Sequence, residues 1–203
     1  MSNSATRPAY DHVRRHILDV GQEMIARKGF VGVGLNELLA AAEVPKGSFY
    51  HYFGSKEQYG CALIGQYVDD YLAAMEGLFG DSRLSARERL MRYWTHWRDS
   101  QCAGDATGRC LVVKLSAEVS DLSDAMRERL RDGTALIEGQ LADCIAQGHA
   151  DGSIAPGADP AQTATMLYQM WLGASLLTKL RRDHDAFDRA MAVTERVLAP
   201  PAA

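Results

Sequence analysis

The sequence predicts an all-α protein with about nine helices. Apolar residues recur at three- and four-residue spacing through almost the whole chain, and no segment keeps the alternation of a strand. Clusters of Gly, Pro, Asp and Ser interrupt this pattern where helices would end. With 203 residues, of which 47% are hydrophobic and 24% charged, the chain is long enough to bury a substantial core.

Three helices are predicted in the first quarter of the chain. The first covers about residues 12–28, and a short second helix covers about residues 35–42. A tight turn at 43–45 precedes a third helix over 46–52, because Pro45 favours a helix start. This order is typical of a helix-turn-helix unit. A generic helical hairpin with a solvated polar face has the same periodicity.

The third helix combines a packing face with a small and polar face. Phe49 and Phe53 are four residues apart, so they share the face that packs. Gly47 removes side-chain bulk where another surface comes close. The residues left to point elsewhere carry small, basic and hydroxyl groups that suit a phosphate backbone: Lys46, Gly47, Ser48, Tyr50 and His51. In a helix-turn-helix unit this helix lies in the major groove of DNA.

Six further helices are predicted at residues 55–79, 85–102, 110–119, 121–147, 160–181 and 184–198. Ser55 with Gln58, and Ser85 with Glu88, have the spacing of capping boxes. The helix over 160–181 is apolar almost all the way round, which suits a helix that faces both its own core and a partner subunit. A single buried central helix has the same composition.

The charge balance and composition exclude several classes of protein. The net charge of −4 divides into +1 for residues 1–60 and −5 for residues 61–203, so we expect DNA affinity to be modest and salt-sensitive. The chain has no run of eighteen apolar residues and no apolar signal core, which predicts a cytoplasmic protein without a membrane span. The four cysteines lack metal-ligand spacing, so we expect thiols, no metal and no cofactor.

Residues 13–63 resemble the N-terminal DNA-binding domain of the TetR/AcrR family of repressors. The matching segments are Ala26-Arg27-Lys28-Gly29-Phe30, Leu38-Leu39-Ala40-Ala41-Ala42-Glu43-Val44, Lys46-Gly47-Ser48-Phe49-Tyr50-His51-Tyr52-Phe53 and Ser55-Lys56-Glu57. The resemblance implies a homodimer bound to double-stranded operator DNA. It also implies a helix-turn-helix domain over residues 1–54 and a sensing and dimerisation domain over residues 55–203, whose last two helices pair with those of the second subunit.

The same resemblance assigns DNA contacts to the third helix and the residues around it. Lys46 to His51 would form the recognition helix, and Tyr50 would contact phosphates or base edges together with His51. Lys56 would hold a phosphate with the start of the next helix. Three arginines are candidates for contacts with the flanking backbone or minor groove, with a solvated terminus as the alternative: Arg7, Arg14 and Arg15.

Cys110 is the cysteine whose position favours reactivity. It follows a glycine-containing loop and opens a predicted helix, with Arg109 adjacent. A helix N-terminus and a neighbouring cation both stabilise a thiolate, which is the reactive form of cysteine. The alternative is a small buried hydrophobic side chain, which is a common fate of a cysteine outside disulfides.

Residues 108–123 and 171–179 resemble the NemR-like branch of this family, which senses electrophiles and oxidants such as hypochlorous acid. The resemblance implies that Cys110 is the sensor and that its modification releases the operator. It further implies that the Lys179 amine captures the oxidised sulfur in a reversible sulfur–nitrogen bond. A solvated charge is the alternative for Lys179. Three aromatic residues either line a small ligand pocket or fill the core: Trp94, Tyr168 and Trp171.

Three other functions stay open. In a related branch of the family, a small organic acid such as acrylate is the effector, and Lys179 or Lys114 would bind its carboxylate without covalent chemistry. A thiol enzyme would need a base and an oxyanion site beside Cys110. None of the six histidines shares a recognisable motif with that residue, so we expect no enzyme. The third is an architectural DNA-binding protein without an effector.

Overall fold

The structure is a computed structural model that describes residues 6–102 and 110–202. Within these residues it contains nine helices and no strand, which confirms the all-α prediction. The helices are α1 (Thr6–Lys28), α2 (Leu35–Ala41), α3 (Lys46–Tyr52), α4 (Lys56–Phe79), α5 (Ala86–Cys102), α6 (Leu111–Leu122), α7 (Asp124–Ala150), α8 (Pro160–Arg181) and α9 (Asp185–Val197). None of these helices is long and apolar enough to cross a membrane.

Two helix boundaries differ from the sequence prediction. α1 begins at Thr6 and not near residue 12, because Pro8 falls in its first turn, where a missing N–H costs no helical hydrogen bond. The other difference is the junction of α6 and α7, which lies at Ser123 and not at residues 119–121. The Ser123 hydroxyl accepts a hydrogen bond from the N–H of Met126 at 3.2 Å, so Ser123 caps α7.

The predicted capping boxes form at two helix starts. The Ser85 hydroxyl accepts from the Glu88 N–H at 3.3 Å, and the Glu88 carboxylate accepts from the Ser85 N–H at 2.8 Å. At the start of α4, the Ser55 hydroxyl accepts from the Gln58 N–H at 3.0 Å. The Gln58 side chain accepts from the preceding residue, the N–H of Gly54, at 3.1 Å. Both helix starts therefore have their backbone donors satisfied by side chains.

The chain forms two compact units. Among the described residues, the N-terminal unit comprises those up to Val68 together with Lys114–Arg131, and the C-terminal unit comprises those of 69–113 and 132–203. The N-terminal unit is therefore completed by most of α6 and the start of α7. Its core includes side chains from α1 to α4, among them Ile17, Leu38, Phe49 and Leu63.

The C-terminal unit has an aromatic core. Trp94 of α5 stacks on Trp171 of α8 with ring centroids 4.9 Å apart, and both side chains are fully buried. The Trp171 Nε1–H donates to the buried Thr194 hydroxyl of α9 at 2.9 Å, which satisfies the polar end of the indole. On the opposite side of α8, Leu176 and Leu180 are 54% and 75% exposed, and such apolar surface is typical of an interaction site.

Candidate nucleic-acid interface and sensor site

α3 exposes the side chains that were predicted to contact DNA. Phe49 is fully buried and Phe53, directly after the helix, is 3% exposed, so these two rings anchor the helix to the N-terminal core. Tyr50 is 59% exposed on the other face. The other residues of the helix that were predicted to contact DNA are exposed or half-buried: Lys46, Gly47, Ser48 and His51. The local sequence therefore presents a polar surface, since one aromatic face holds the helix in place.

The end of α3 is held by α1 through an aromatic contact. The Tyr10 hydroxyl donates to the His51 carbonyl at 3.3 Å, and the two rings meet edge to face with centroids 5.3 Å apart. The centroids of the Tyr10 and Tyr52 rings are also only 4.7 Å apart. The His51 side chain is thereby oriented by two aromatic neighbours. Sequence reasoning missed Tyr10, because its only signal is one aromatic residue near the start of α1.

The turn before α3 needs an unusual backbone. Glu43 has φ +55°, a left-handed conformation that a non-glycine residue rarely adopts. The Val44 N–H donates to the Leu39 carbonyl at 3.0 Å and closes the end of α2. His16 of α1 contacts the Ala42 carbonyl through Nε2 at 3.1 Å. This turn sets the angle between α2 and α3, as a helix-turn-helix unit requires.

Lys56 already has partners within the N-terminal unit. Its ammonium group donates to the Val33 carbonyl at 2.9 Å and lies 5.0 Å from the centroid of the Phe30 ring. An ammonium group has three donors, so these contacts leave room for a phosphate. The phosphate role of Lys56 stays a prediction.

All three candidate arginines lie on α1, and two of them have partners of their own. The Arg14 guanidinium lies 5.2 Å from the centroid of the Phe53 ring, a cation–π contact. Arg15 is 4.0 Å from the Asp19 carboxylate in an exposed i,i+4 pair. The side chain of Arg7 lies outside the described part of the chain. A DNA contact by any of them stays a prediction.

Cys110 is half-buried and stands directly before the first residue of α6. Its N–H donates to the Gln101 side-chain oxygen at 3.3 Å, and its side chain packs against the core of the C-terminal unit. The backbone N–H groups of a helix's first turn carry partial positive charge and favour an anion. Arg109 lies outside the described residues, so this position alone supports the thiolate here.

Three phenol groups lie within electrostatic reach of Cys110. Burial raises the pKa of Tyr71, Tyr93 and Tyr168 well above the usual range, and an electrostatic interaction with Cys110 adds a smaller increase to all three. The phenols therefore remain neutral donors at physiological pH. Sequence reasoning named Tyr168 but missed Tyr71 and Tyr93.

The other predicted C-terminal residues lie on α5 and α8. Lys179 is exposed in the last turn of α8. Tyr168 is 2% exposed, and Trp94 and Trp171 are fully buried. Their rings belong to the aromatic core, where Trp97 meets Tyr168 edge to face at 5.8 Å. Among the described residues no group of three His, Cys, Asp or Glu side chains forms a metal site.

Two of the remaining cysteines, Cys61 and Cys144, have surroundings that disfavour the thiolate. Burial raises the pKa of Cys144 to about 11, and this side chain is only 2% exposed. Cys61 on α4 is half-buried, and burial together with the nearby Glu57 carboxylate raises the pKa of its thiol. The side chain of Cys102 lies outside the described residues. A raised thiol pKa lowers the thiolate fraction and slows reaction.

Comparison with known proteins identifies two matching families. The family described as "Bacterial regulatory proteins, tetR family" matches residues 17–58, which include the helix-turn-helix unit. The family described as "Tetracyclin repressor-like, C-terminal domain" matches residues 86–194. Together the two matches cover the recognition helix and the aromatic core with Cys110.

Relatives of the whole chain are transcriptional regulators. The HTH-type transcriptional repressor NemR of Escherichia coli K12 is 36% identical over 189 residues, which cover 93% of this chain and 95% of that protein. The crystal structure of the reduced form of E. coli NemR has a TM-score of 0.89 at 37% identity and covers 95% of this chain and 100% of that chain. The transcriptional regulator AcuR of Cereibacter sphaeroides is 34% identical over 165 residues, 81% of this chain and 75% of that protein. The chain therefore belongs to the TetR family and is a DNA-binding transcriptional repressor.

Proposed function

We propose that this repressor acts in the cytoplasm and releases its operator when an electrophile or oxidant modifies Cys110. The observation that carries the proposal is the surroundings of this thiol. Cys110 stands directly before α6, whose first backbone N–H groups favour an anion, and its side chain is half-buried. This position favours the reactive thiolate. The resemblance of residues 108–123 and 171–179 to the electrophile-sensing branch of the family supports the same assignment.

The proposed chemistry begins at the Cys110 sulfur. Hypochlorous acid converts the thiolate to a sulfenic acid and releases chloride, whereas N-ethylmaleimide forms a thioether directly. In the oxidative route the Lys179 amine attacks the sulfenic sulfur, a sulfur–nitrogen bond forms and water leaves. A thiol reductant cleaves this bond and regenerates the thiol and the amine. Reversible capture would protect the sulfur from further, irreversible oxidation.

Release of DNA would follow from a shift between two packings of the dimer. TetR-family regulators act as dimers, and a dimeric helix-turn-helix protein reads two half-sites about 34–36 Å apart or a multiple of this. Modified Cys110 would favour a packing in which the two recognition helices no longer match that spacing, with α4 transmitting the change. The extent of operator release would then depend on the free-energy difference that the modification creates between the two packings.

The experiment is a titration of the wild-type dimer on operator DNA with N-ethylmaleimide. Operator release is followed by fluorescence anisotropy, and the modified fraction of each cysteine is measured by peptide mass spectrometry. The proposal predicts that release follows modification of Cys110 one to one, while Cys61 and Cys144 remain mostly unmodified. The proposal is contradicted if release follows the modification of another cysteine, or if Cys110 is completely modified while the protein stays bound to the operator.

Non-covalent induction by a small organic acid such as acrylate is the competing function. In that case Lys179 or Lys114 would bind the carboxylate as a cation. The Lys179→Arg protein separates the two functions, because arginine keeps the charge but its guanidinium stays protonated and is not nucleophilic. Sulfur–nitrogen capture removes two hydrogens, a mass change of roughly −2 Da for each bond. This mass change should appear in the oxidised wild type and not in oxidised Lys179→Arg. Acid binding predicts release by acrylate in both proteins.

A further inference from the structure

Glu118 of α6 holds the loop between α1 and α2. One carboxylate oxygen accepts a hydrogen bond from the Phe30 N–H at 2.9 Å, and the other accepts from the Val31 N–H at 2.6 Å. The two donors are consecutive in a loop, where no helical carbonyl can serve them. A single carboxylate therefore satisfies both with charge-assisted hydrogen bonds, which are stronger than bonds between neutral groups.

The loop has a glycine where the carboxylate approaches. Gly29 has φ +81°, which ends α1 in a left-handed conformation. A Cβ atom at Gly29 would lie 2.8 Å from one Glu118 oxygen and 3.2 Å from the other. Any side chain at this position would displace the carboxylate. The sequence of the loop and the position of Glu118 are therefore matched, although 89 positions separate Gly29 and Glu118 in the chain.

The Lys56 side chain also holds this loop. Lys56 donates to the Val33 carbonyl at 2.9 Å and lies over the Phe30 ring. Phe30 and Val33 are 3% and 2% exposed, so their side chains fix the loop to the core. The loop is thus held at its N–H groups by Glu118 and at a carbonyl by Lys56. Lys56 begins α4, four residues after the end of the recognition helix.

α6 connects this loop to the C-terminal part of the chain. The helix begins at Leu111, and Glu118 lies seven residues further on, roughly 10 Å along the axis at 1.5 Å per residue. The first three residues of α6 belong to the C-terminal unit, and the segment Lys114–Arg131, which includes Glu118, belongs to the N-terminal unit. A second contact supports this placement: the Ser123 hydroxyl, just after α6, hydrogen-bonds with the Glu57 carboxylate in the first turn of α4.

We infer that Glu118 is the positioning residue that fixes the helix-turn-helix unit to α6 in the operator-binding form. Two half-sites on one duplex can be read only if both units of the dimer are held in a fixed register. The Glu118 bonds provide that register at the α1–α2 loop, while the contact surface on α3 is formed without them. The inference rests on operator binding by a dimer and holds whichever effector acts.

Glu118→Gln tests the inference, with Asp121→Asn as its control. The amide keeps the size of the side chain but offers only one acceptor oxygen, so it cannot satisfy both N–H groups. Asp121 lies on the same helix, is exposed, and undergoes the same change of charge. The operator sequence is first identified by selecting duplexes from a random-sequence pool with the wild-type dimer. Each selected duplex is then prepared in two forms, one with both half-sites and one with a single half-site.

The expected result is a selective loss. Glu118→Gln should bind the two-half-site duplex about tenfold more weakly and the single half-site within about twofold, because the loss of a charge-assisted bond loosens the register and leaves α3 unchanged. Amide hydrogen exchange at Phe30 and Val31 should accelerate, and the thermal unfolding midpoint should fall by only about 2–4 °C for each kcal/mol of lost hydrogen bonding. Asp121→Asn should behave like the wild type in all four measurements.

Two results would overturn the inference. If Glu118→Gln binds both duplexes as the wild type does, the carboxylate has no role in operator binding. If both duplexes are weakened equally and the unfolding midpoint falls, Glu118 only supports the fold. The hydrogen-exchange measurement reports directly on Phe30 and Val31, so a loss of binding without faster exchange at these amides also contradicts a role through the loop.

Discussion

The phenol oxygens of Tyr71 and Tyr93 lie 2.6 Å apart in the C-terminal unit. Tyr71 belongs to α4 and Tyr93 to α5, so the hydrogen bond joins two helices. Burial raises the pKa of both phenols, which keeps the pair neutral across the physiological range. A neutral pair can share one proton in the bond and direct the second hydroxyl hydrogen elsewhere.

This pair should contribute to stability as a unit. Tyr93→Phe should lower the free energy of unfolding by about 1–3 kcal/mol, because the Tyr71 hydroxyl loses this hydrogen bond in a largely apolar environment. Tyr71→Phe combined with Tyr93→Phe should cost less than the sum of the single changes by about 1 kcal/mol. Urea unfolding of the three variants measures the coupling. Strictly additive effects would show that the two hydroxyls act independently.

Thiol reactivity should differ strongly between Cys110 and Cys144. Cys144 is 2% exposed and its pKa is raised to about 11, so little thiolate forms near neutral pH and little of it is accessible. In the folded protein at pH 7.5, N-ethylmaleimide should modify Cys144 at least about tenfold more slowly than Cys110. Peptide mass spectrometry over time measures both rates. In urea the rates should converge; equal rates in the folded protein would contradict the account.

Gly21 should be essential to the packing of the N-terminal unit. A Cβ atom there would lie 1.6 Å from the Tyr59 hydroxyl, and Tyr59 is 1% exposed. Gly21→Ala should therefore lower the free energy of unfolding by about 1–3 kcal/mol through overpacking, and weaken operator binding with it.

The matched control is Gly65→Ala on α4, where a Cβ atom would meet no atom within 4 Å. Removing this helical glycine should raise the stability by up to about 1 kcal/mol, since alanine is the better helix former. Thermal unfolding followed by circular dichroism compares the two variants. Equal effects of the same sign would mean that Tyr59 can move away from α1 without cost.

The exposed lysine of α3 should contribute to the salt dependence of operator binding. Lys46→Ala should reduce the slope of log K against log salt by about one for each subunit, because one phosphate contact and its released counterion are lost. Arg83→Ala is the control, since the Arg83 side chain is 87% exposed in the C-terminal unit. The slope for this variant should equal that of the wild type. Operator titrations at several salt concentrations give both slopes. An unchanged slope for Lys46→Ala would remove this residue from the interface.

The helices were largely predictable because their signals are local. Helical spacing and capping boxes lie within a few residues, and the start of α8 at Pro160 follows the prediction, with Asp159 accepting from the Gln162 N–H at 2.9 Å. The junction between α6 and α7 was misplaced because Ser120 resembles a helix end in the sequence. In the structure its hydroxyl donates to the Ser116 carbonyl at 2.5 Å and the helix continues.

The contacts that complete the sites were not predictable, because they join distant segments. Tyr10 meets His51 across 41 positions, and Glu118 meets Phe30 across 88. Neither residue carries a local motif, since a tyrosine or a glutamate on a helix is ordinarily a surface residue. Cys110 was singled out because a helix start is visible in the sequence, whereas Tyr71 and Tyr93 look like core residues until their hydroxyls are seen together.

Operator binding by the wild type and by Cys110→Ser tests whether Cys110 is the sensor. Each reduced protein is bound to DNA from its own upstream region, treated with hypochlorous acid or N-ethylmaleimide, and followed by fluorescence anisotropy. The wild type should release the DNA, Cys110→Ser should remain bound, and a thiol reductant should restore binding after hypochlorous acid only. Release by both proteins, or by neither, would contradict a sensing role and leave Cys110 a structural residue.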